Sequence, residues 1–562
     1  MIATVVSATL VGVEGRSVAV EVHAANGLPG FRVVGLPDAS CREARDRVRA
    51  AIISSGYRWP QKRVTVNLAP SGVRKAGSGL DLAIALGTLA ADGQVPAACL
   101  DGHAFIAELG LDGSLRPIPG MLPLAAAVRA GAVVVAPSNA QEAALVRREA
   151  VRVAPDLATL ARVLGGELPW PDLPPPGAPP APPPPPDLGE VKGQVFGRRA
   201  LEVAAAGGHH LLLVGPAGSG KTMLALRLPG LLPPLSPAEA LEVAQVHSAA
   251  GLQVGVSGLC LVPPFRSPHH SASAVALIGG GGARLRPGEV SCAHLGVLFL
   301  DELAEFPGAV LDNLRQPLEE GRIVVCRASA AASFPARFML VAAMNACRCA
   351  GDGSPGSCHC PAAQRERYVS RISGPLLDRF DIRVRVRRPD VAELLGASVA
   401  PPRCAGDAGR RGYAGGSPGG APCQSEPTSV VAARVAAARQ RARDRGARCN
   451  SEIPAAMLDV YAPLSAGARR LLARRVQEGR LSARGLVRTR RVALTLADLS
   501  GEGGSLSEEH VLTALALRSP GILGHDEETA ERGHIGARSE REAVPGRAAA
   551  PARAQAPVLE QA

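Results

Sequence analysis

The sequence predicts a mixed α/β fold that ends in a helical region, and three observations carry that prediction. Short β-rich apolar runs alternate with segments of helical spacing, first over residues 1–168 and again over 188–395. One of those runs opens directly into a glycine-rich phosphate-holding signature. Residues 429–520 read as helical throughout. A length of 562 residues allows two to four domains, so burying a core is no constraint.

In the first region, Ile2–Val13 and Ser17–Val22 show the period-two pattern of strands, with Gly15 expected as the hairpin turn between them. Ala39–Ser54 brings Ala44, Val48, Ala51 and Ile52 onto one helical face, and Asp38 is the expected N-cap. Arg63–Leu68 reads as a strand and Leu80–Ala91 as a helix. Phe105–Leu109, Leu122–Ala130 and Val133–Ala136 continue the alternation. Residues 169–187, PWPDLPPPGAPPAPPPPPD, predict an extended polyproline spacer that closes the first domain.

The central region is organised around His209–Thr222, HHLLLVGPAGSGKT. Leu211–Val214 reads as a buried parallel strand and Met223–Leu228 as the helix that follows. Between them Gly215, Pro216, Ala217, Gly218, Ser219, Gly220, Lys221 and Thr222 satisfy G-x-x-x-x-G-K-[ST] at every position. The glycines let backbone N–H groups converge on phosphate oxygens, and a helix N-terminus adds its positive end. Lys221 would reach the β- and γ-phosphates and Thr222 would hold Mg²⁺, so ATP or GTP with Mg²⁺ is the expected cofactor set.

A second buried strand, Val297–Leu300, ends in Asp301 and Glu302. Asp301 would position Mg²⁺ through water, and Glu302 would polarise the attacking water. Gly321–Phe338 reads as two strand-like pieces about a small-residue turn, and Met339–Asn345 as a third buried strand. Asn345 at that strand's end resembles the sensor-1 position of AAA+ ATPases, which implies contact with the γ-phosphate. In SGPLLDRFDI (373–382), Arg379 matches the arginine finger that an AAA+ ring supplies from the neighbouring subunit. The alternatives are a surface ion pair of Arg379 with Asp378 or Asp381, and Arg371 as the finger. Arg484, in LSAR, stands where the sensor-2 arginine of an AAA+ helical lid would be.

Directly after Asn345, Cys347-Arg-Cys349 and Cys358-His-Cys360 form two C-x-C pairs. Four thiolates in that pattern can close on one tetrahedral Zn²⁺, with His359 able to replace one of them; free thiols are the alternative. The other cysteines are scattered, and the set does not read as a disulfide framework.

Composition bounds the rest. Aromatic residues are 3% of the chain, so the cores must be built from Ala, Val and Leu. No run of 18 apolar residues occurs and the N-terminus lacks a basic leader, so a cytoplasmic protein with no membrane span is expected. The net charge is +12 and only four of the 62 basic residues are Lys, which permits a polyanionic partner. Residues 429–520 hold 16 Arg against 8 acidic residues. Residues 396–428 read as a low-complexity insertion and 521–562 as a disordered tail.

Two resemblances cover most of the chain. Ala69–Leu89, ELGLDGSLRPIPG (108–120) and AAAVRAGAVVVAP (125–137) resemble the proteolytic domain of Lon-type proteases. The Ser and Lys of that family's dyad fall at Gly79 and near Leu122, which can supply neither nucleophile nor base. Ser78 is one residue off and Lys75 has no obvious partner. The resemblance therefore implies a Lon-like fold without peptidase activity. More extensively, VKGQ, the phosphate loop, FRSPHHSASAVALIGGG, PGEVSCAHLGVLFLDELAEF, LRQPLEEGRI, FPARFMLVAAMN and RISGPLLDRFDI are similar to the Mg-chelatase-like ATPases of the ComM (YifB) family. That resemblance implies a Lon-like α/β domain, a central AAA+ P-loop domain and a helical lid. It also implies a hexameric homo-oligomeric ring with DNA in its pore, moving branch points when transforming DNA is integrated. The family's helix-2 insert falls at Phe265–Gly282 and its hairpin at Gly321–Phe338, with Arg327 a candidate DNA contact or an ordinary turn residue. His269 and His270 are pore or structural residues, or less plausibly metal ligands. The family's CPCG loop is CRCA here, which changes Arg348 and Ala350. A metal-chelatase motor subunit and a protein-remodelling ATPase are the alternative functions.

Overall fold

The computed structural model describes residues 1–175, 185–254, 258–281, 285–327, 330–349, 351, 358, 360–389 and 426–518. The middle of the proline linker, most of the low-complexity insertion, the tail, Ala350, His359 and the Arg327 side chain lie outside the described residues.

The first sheet has seven strands. From edge to edge they are Gly30–Val34, Arg63–Ala69, Glu14–Ala25, Ile2–Val11, His103–Ile106, Ala132–Val135 and Val151–Val153. The first two strands of the chain form an antiparallel hairpin, while the three last in the order run parallel to Ile2–Val11. The expected hairpin turn at Gly15 is corrected: Gly15 pairs with Leu10 inside the second strand, and the turn is made at Gly12, whose φ is +65°. Gly12 supplies the left-handed conformation, and Gly15 is needed for another reason: a Cβ there would meet the Pro123 carbonyl. The helix Ala39–Ser54 forms as expected, with the Asp38 carboxylate accepting from the Cys41 N–H at 2.8 Å. Asp81–Ala91 is buried along its whole length, which explains why its sequence is apolar all round rather than striped.

The second sheet has five parallel strands in the order Phe265–Arg266, Val297–Leu300, Met339–Met344, Leu211–Val214, Ile382–Arg385. Its inner strands are buried on both faces and so read as unbroken apolar runs. The hairpin Arg322–Arg327 with Ala330–Pro335 forms a separate two-stranded sheet.

The helical region follows, with Thr428–Asp444, Ala466–Gln477, Ala483–Ser500 and Glu508–Ala516 as its main helices. It shares one core with the parallel sheet. Val435, Ala438, Val492 and Leu496 pack with Leu201, Ala204, Leu213 and Val384 in a single apolar cluster. The first sheet also touches the central unit. Glu142 accepts from the Ser248 hydroxyl of helix Pro237–Ala250, and a Cβ at Gly12 would press on Ala332 of the hairpin.

Among the described residues no helix is long and apolar enough to cross a membrane.

Candidate nucleotide site

Strand Leu211–Val214 lies between Met339–Met344 and Ile382–Arg385, so its C-terminal end emerges flanked by two other strand ends. Gly215 makes the turn out of the sheet. Its N–H donates to the Met344 carbonyl at 3.2 Å, and a Cβ there would run into the Val386 carbonyl, so only glycine fits. Gly218 and Gly220 take φ values of +73° and +86°, which wind Pro216, Ala217 and Ser219 into a loop ahead of helix Lys221–Ala225. That helix is shorter than the expected Met223–Leu228; a 3₁₀ turn, Leu228–Leu231, carries the chain onward past Pro229.

Seven of the expected site residues meet here, Gly215, Pro216, Lys221, Thr222, Asp301, Glu302 and Asn345. The Lys221 ammonium donates to the carbonyls of Gly215 at 2.9 Å and Pro216 at 2.7 Å, and to Asn345 Oδ1 at 3.1 Å. Burial lowers its pKa, and Asp301 opposes that shift. The Thr222 hydroxyl donates to Asp301 Oδ2 at 2.8 Å, and the Glu302 N–H donates to Asp301 Oδ1 at 2.9 Å. Glu302 itself has φ +52°, a left-handed turn that redirects the chain straight after the buried strand. A hydroxyl and a carboxylate held together beside a buried ammonium can take a divalent cation and the phosphates it bridges. Fit is supported by donor chemistry, since hard oxygen ligands suit Mg²⁺.

Arg379 and Arg484 are elsewhere. Arg379 is nine-tenths buried and ion-paired with Glu319, so the expected alternative pairing with Asp378 or Asp381 is not the one formed. Desolvation lowers its pKa, with Arg488, Arg484 and Arg315 adding repulsion. Exposed Arg484 therefore belongs to the Arg379 neighbourhood. Arg371 bonds the Ala304 carbonyl at 3.1 Å and Glu305 at 3.2 Å.

Cys347, Cys349, Cys358 and Cys360 converge, with their sulfurs all within 4.8 Å of one another and Cys349 and Cys358 at 3.4 Å. Four sulfurs around Zn²⁺ stand about 3.8 Å apart for the usual ~2.3 Å bond, so the set fits a tetrahedral metal. The Gly351 backbone and neighbouring thiols bring Cys349 down to about 7, while Cys347 and Cys349, with desolvation, push Cys360 up to about 12. In the first sheet, a Cβ at Gly79 would sit 2.6 Å from the Ile118 side chain, and Leu122 is fully buried. Ser78 donates to Glu108, and buried Lys75 donates to the Pro70 carbonyl.

Two contacts escaped the sequence reading. Gln194, at φ +51°, donates to the Ser219 carbonyl at 3.0 Å and to that of Arg387, which ties the loop to the strand beside it. His270 stands 3.4 Å from the Glu302 carboxylate. VKGQ and PHH were visible as motifs, but no spacing rule links them to residues so distant in sequence.

The family model described as magnesium chelatase, subunit ChlI, matches residues 187–394. Those described as subunit ChlI of Mg-chelatase and as its C-terminal part match 20–139 and 425–518. An uncharacterized protein of Mycobacterium tuberculosis is 44% identical over 91% of this chain and 97% of its own. The protein YifB of Escherichia coli is 39% identical over 90% of this chain and 95% of its own. The competence protein ComM of Haemophilus influenzae is 39% identical over 92% and 97%.

Proposed function

Because this chain belongs to the Mg-chelatase-like AAA+ ATPases of the ComM/YifB family, we propose that it hydrolyses ATP with Mg²⁺ in a homo-oligomeric, hexameric ring that moves along DNA. The observation that carries the ATPase reading is the meeting of Lys221 with Asn345 and of Thr222 with Asp301. On this reading the Gly215–Thr222 backbone cradles the phosphates, and Thr222 and Asp301 hold Mg²⁺. Asn345 orients the γ-phosphate and Glu302 takes the proton of the attacking water. Arg379, once released from Glu319, and Arg484 in its neighbourhood would complete the site of the next subunit. Bound Mg²⁺ would neutralise charge on the phosphates.

The likeness to competence protein ComM along nearly the whole chain supports a task in handling transforming DNA, with branch migration as the specific activity. A pore contact from the Arg322–Pro335 hairpin and the arginine-rich helical region would make binding salt-sensitive. The site of action would be the cytoplasm. The domain division we propose is 1–168, 188–395 and 429–520, the first being a Lon-like domain whose Gly79 and Leu122 leave it without peptidase chemistry. We also assign a structural Zn²⁺ to the four cysteines, which would brace the loop after Asn345.

A strand-displacement and branch-migration assay with ATP tests the DNA reading. ATP-dependent junction movement is expected. The three family models named for magnesium chelatase favour a second reading, a chelatase-type motor, and ATPase activity indifferent to any DNA would move the balance to it.

A further inference from the structure

Glu302 is a long side chain, 57% exposed, on a backbone turned left-handed. Such a side chain has several rotamers available in water, and a general base is useful only in the one that faces the attacking water. Among the described residues its carboxylate has one partner within ion-pair distance, His270 Nδ1, 3.4 Å from Oε2.

The imidazole is well placed to act as a fixed point. Its ring lies against His269, tilted by 34° with centroids 4.1 Å apart, and meets Phe306 edge-on, at 6.5 Å and 79°. Phe306 is buried and lies four residues beyond Glu302, so the ring packs on the same segment that carries the carboxylate. The stretch around His270 is pinned on both sides. Phe265–Arg266 pairs in parallel with Val297–Leu298, and Arg266 makes a bidentate pair with Glu289 at 2.6 and 2.7 Å. Beyond it, Ser273 caps helix Ala274–Ile278, and the Ala272 N–H donates to the His269 carbonyl at 2.9 Å.

We propose that His270 is the positioning residue for Glu302: Nδ1 holds one carboxylate oxygen so that the other faces the water attacking the γ-phosphate. This rests on reading Glu302 as the general base. The role belongs to the ring nitrogen nearest the backbone, so Asn, whose side-chain amide nitrogen occupies that position, can stand in for it.

The test is steady-state ATP hydrolysis by the full chain carrying His270→Ala, His270→Asn or Glu302→Gln, with nucleotide binding measured alongside by a fluorescent analogue. His270→Ala should lower kcat roughly tenfold, as expected for a misaligned base, with KM and nucleotide affinity within about twofold. His270→Asn should recover most of the loss. Wild-type kcat in His270→Ala, an equal loss in His270→Asn, or KM rising in step with the fall in kcat would each overturn the assignment. Should His270→Ala fail to fold, the Asn variant still decides, since near wild-type turnover is required of it. Glu302→Gln should abolish turnover. If it does not, the general-base reading itself is wrong; if it does while His270→Ala is fully active, only the role of His270 is.

Discussion

The two ends of strand Leu211–Val214 make opposite use of polar residues. At its C-terminal end Lys221 points inward while Thr222 stays exposed and Asp301 half-buried beside it, available to a ligand. At its N-terminal end His209 and His210 are locked into the protein. His209 bonds Thr495 at 2.8 Å and lies 3.6 Å from Asp381; the His210 N–H donates to Asp381 at 3.2 Å; Arg488 approaches the same carboxylate at 3.5 Å. His210 Nδ1 accepts from the Leu340 N–H at 3.0 Å. Buried Asp381 is held well below the usual carboxylate range by His209, His210 and Arg488, against its desolvation. A carboxylate with a lowered pKa thus sits at the closed end, so a shifted pKa here marks an internal lock between sheet and helical region.

That contrast can be broken at either end. The largest effect is expected from Lys221→Ala, which should abolish nucleotide binding and turnover while leaving the melting temperature nearly unchanged; retained ATPase would defeat the site assignment. Arg379→Ala should spare nucleotide binding but slow hydrolysis by roughly a thousandfold. Mixing Arg379→Ala with Glu302→Gln subunits should restore part of the rate, and no restoration would argue against donation between subunits. Asp381→Ala, at the closed end, should instead cost about 3 kcal/mol of folding stability by stranding buried charge, read by denaturant unfolding. Its ATP affinity should change little once folded.

Acid should act at the same end. Burial lowers His210 from its ordinary 6.5 to about 4. Between those values the unfolded chain takes up a proton that the folded chain refuses, so stability falls as pH drops through that window. The stabilised low-pKa Asp381 carboxylate adds loss in the same direction, below the unfolded carboxylate range. His210→Asn keeps an acceptor for Leu340 and should flatten the slope between pH 6.5 and 4; an unchanged slope would assign it to other groups. The smallest effect is expected from a zinc chelator. It should lower kcat a few-fold and the melting temperature by a few degrees, because Cys347 is two residues from Asn345. Zinc well below one per chain in purified protein would remove the basis for that expectation.

The phosphate loop was legible because its chemistry is local: turn, cation and hydroxyl occupy consecutive positions. Asp301 and Asn345 were legible because fully buried parallel strands read as unbroken apolar runs, and the residue after each run is the one at the sheet's functional edge. Helix Ala39–Ser54 was legible down to its cap. Gly15 misled, because a glycine required by the close approach of Pro123 looks the same in sequence as one required by a turn. Gln194 and His270 were not legible as site neighbours, since each meets its partner across loops that no periodicity constrains. The Glu319 partner of Arg379 was hidden for the same reason, while nearer Asp378 pairs with Arg383 at 3.5 Å.

Strand Ile382–Arg385 begins three residues after Arg379 and runs on to Val386, whose N–H bonds Val214 and whose carbonyl closes on Gly215. A turn over residues 379–381 and then an extended segment of about 13 Å, at roughly 3.3 Å per residue, thus connect the arginine to the loop. If Arg379 reaches across to a neighbouring copy, as proposed, that stretch would have the neighbour's phosphate near one end and its own near the other. On that proposal, a displacement of Arg379 would have only this short stretch of backbone to cross before it reached Gly215.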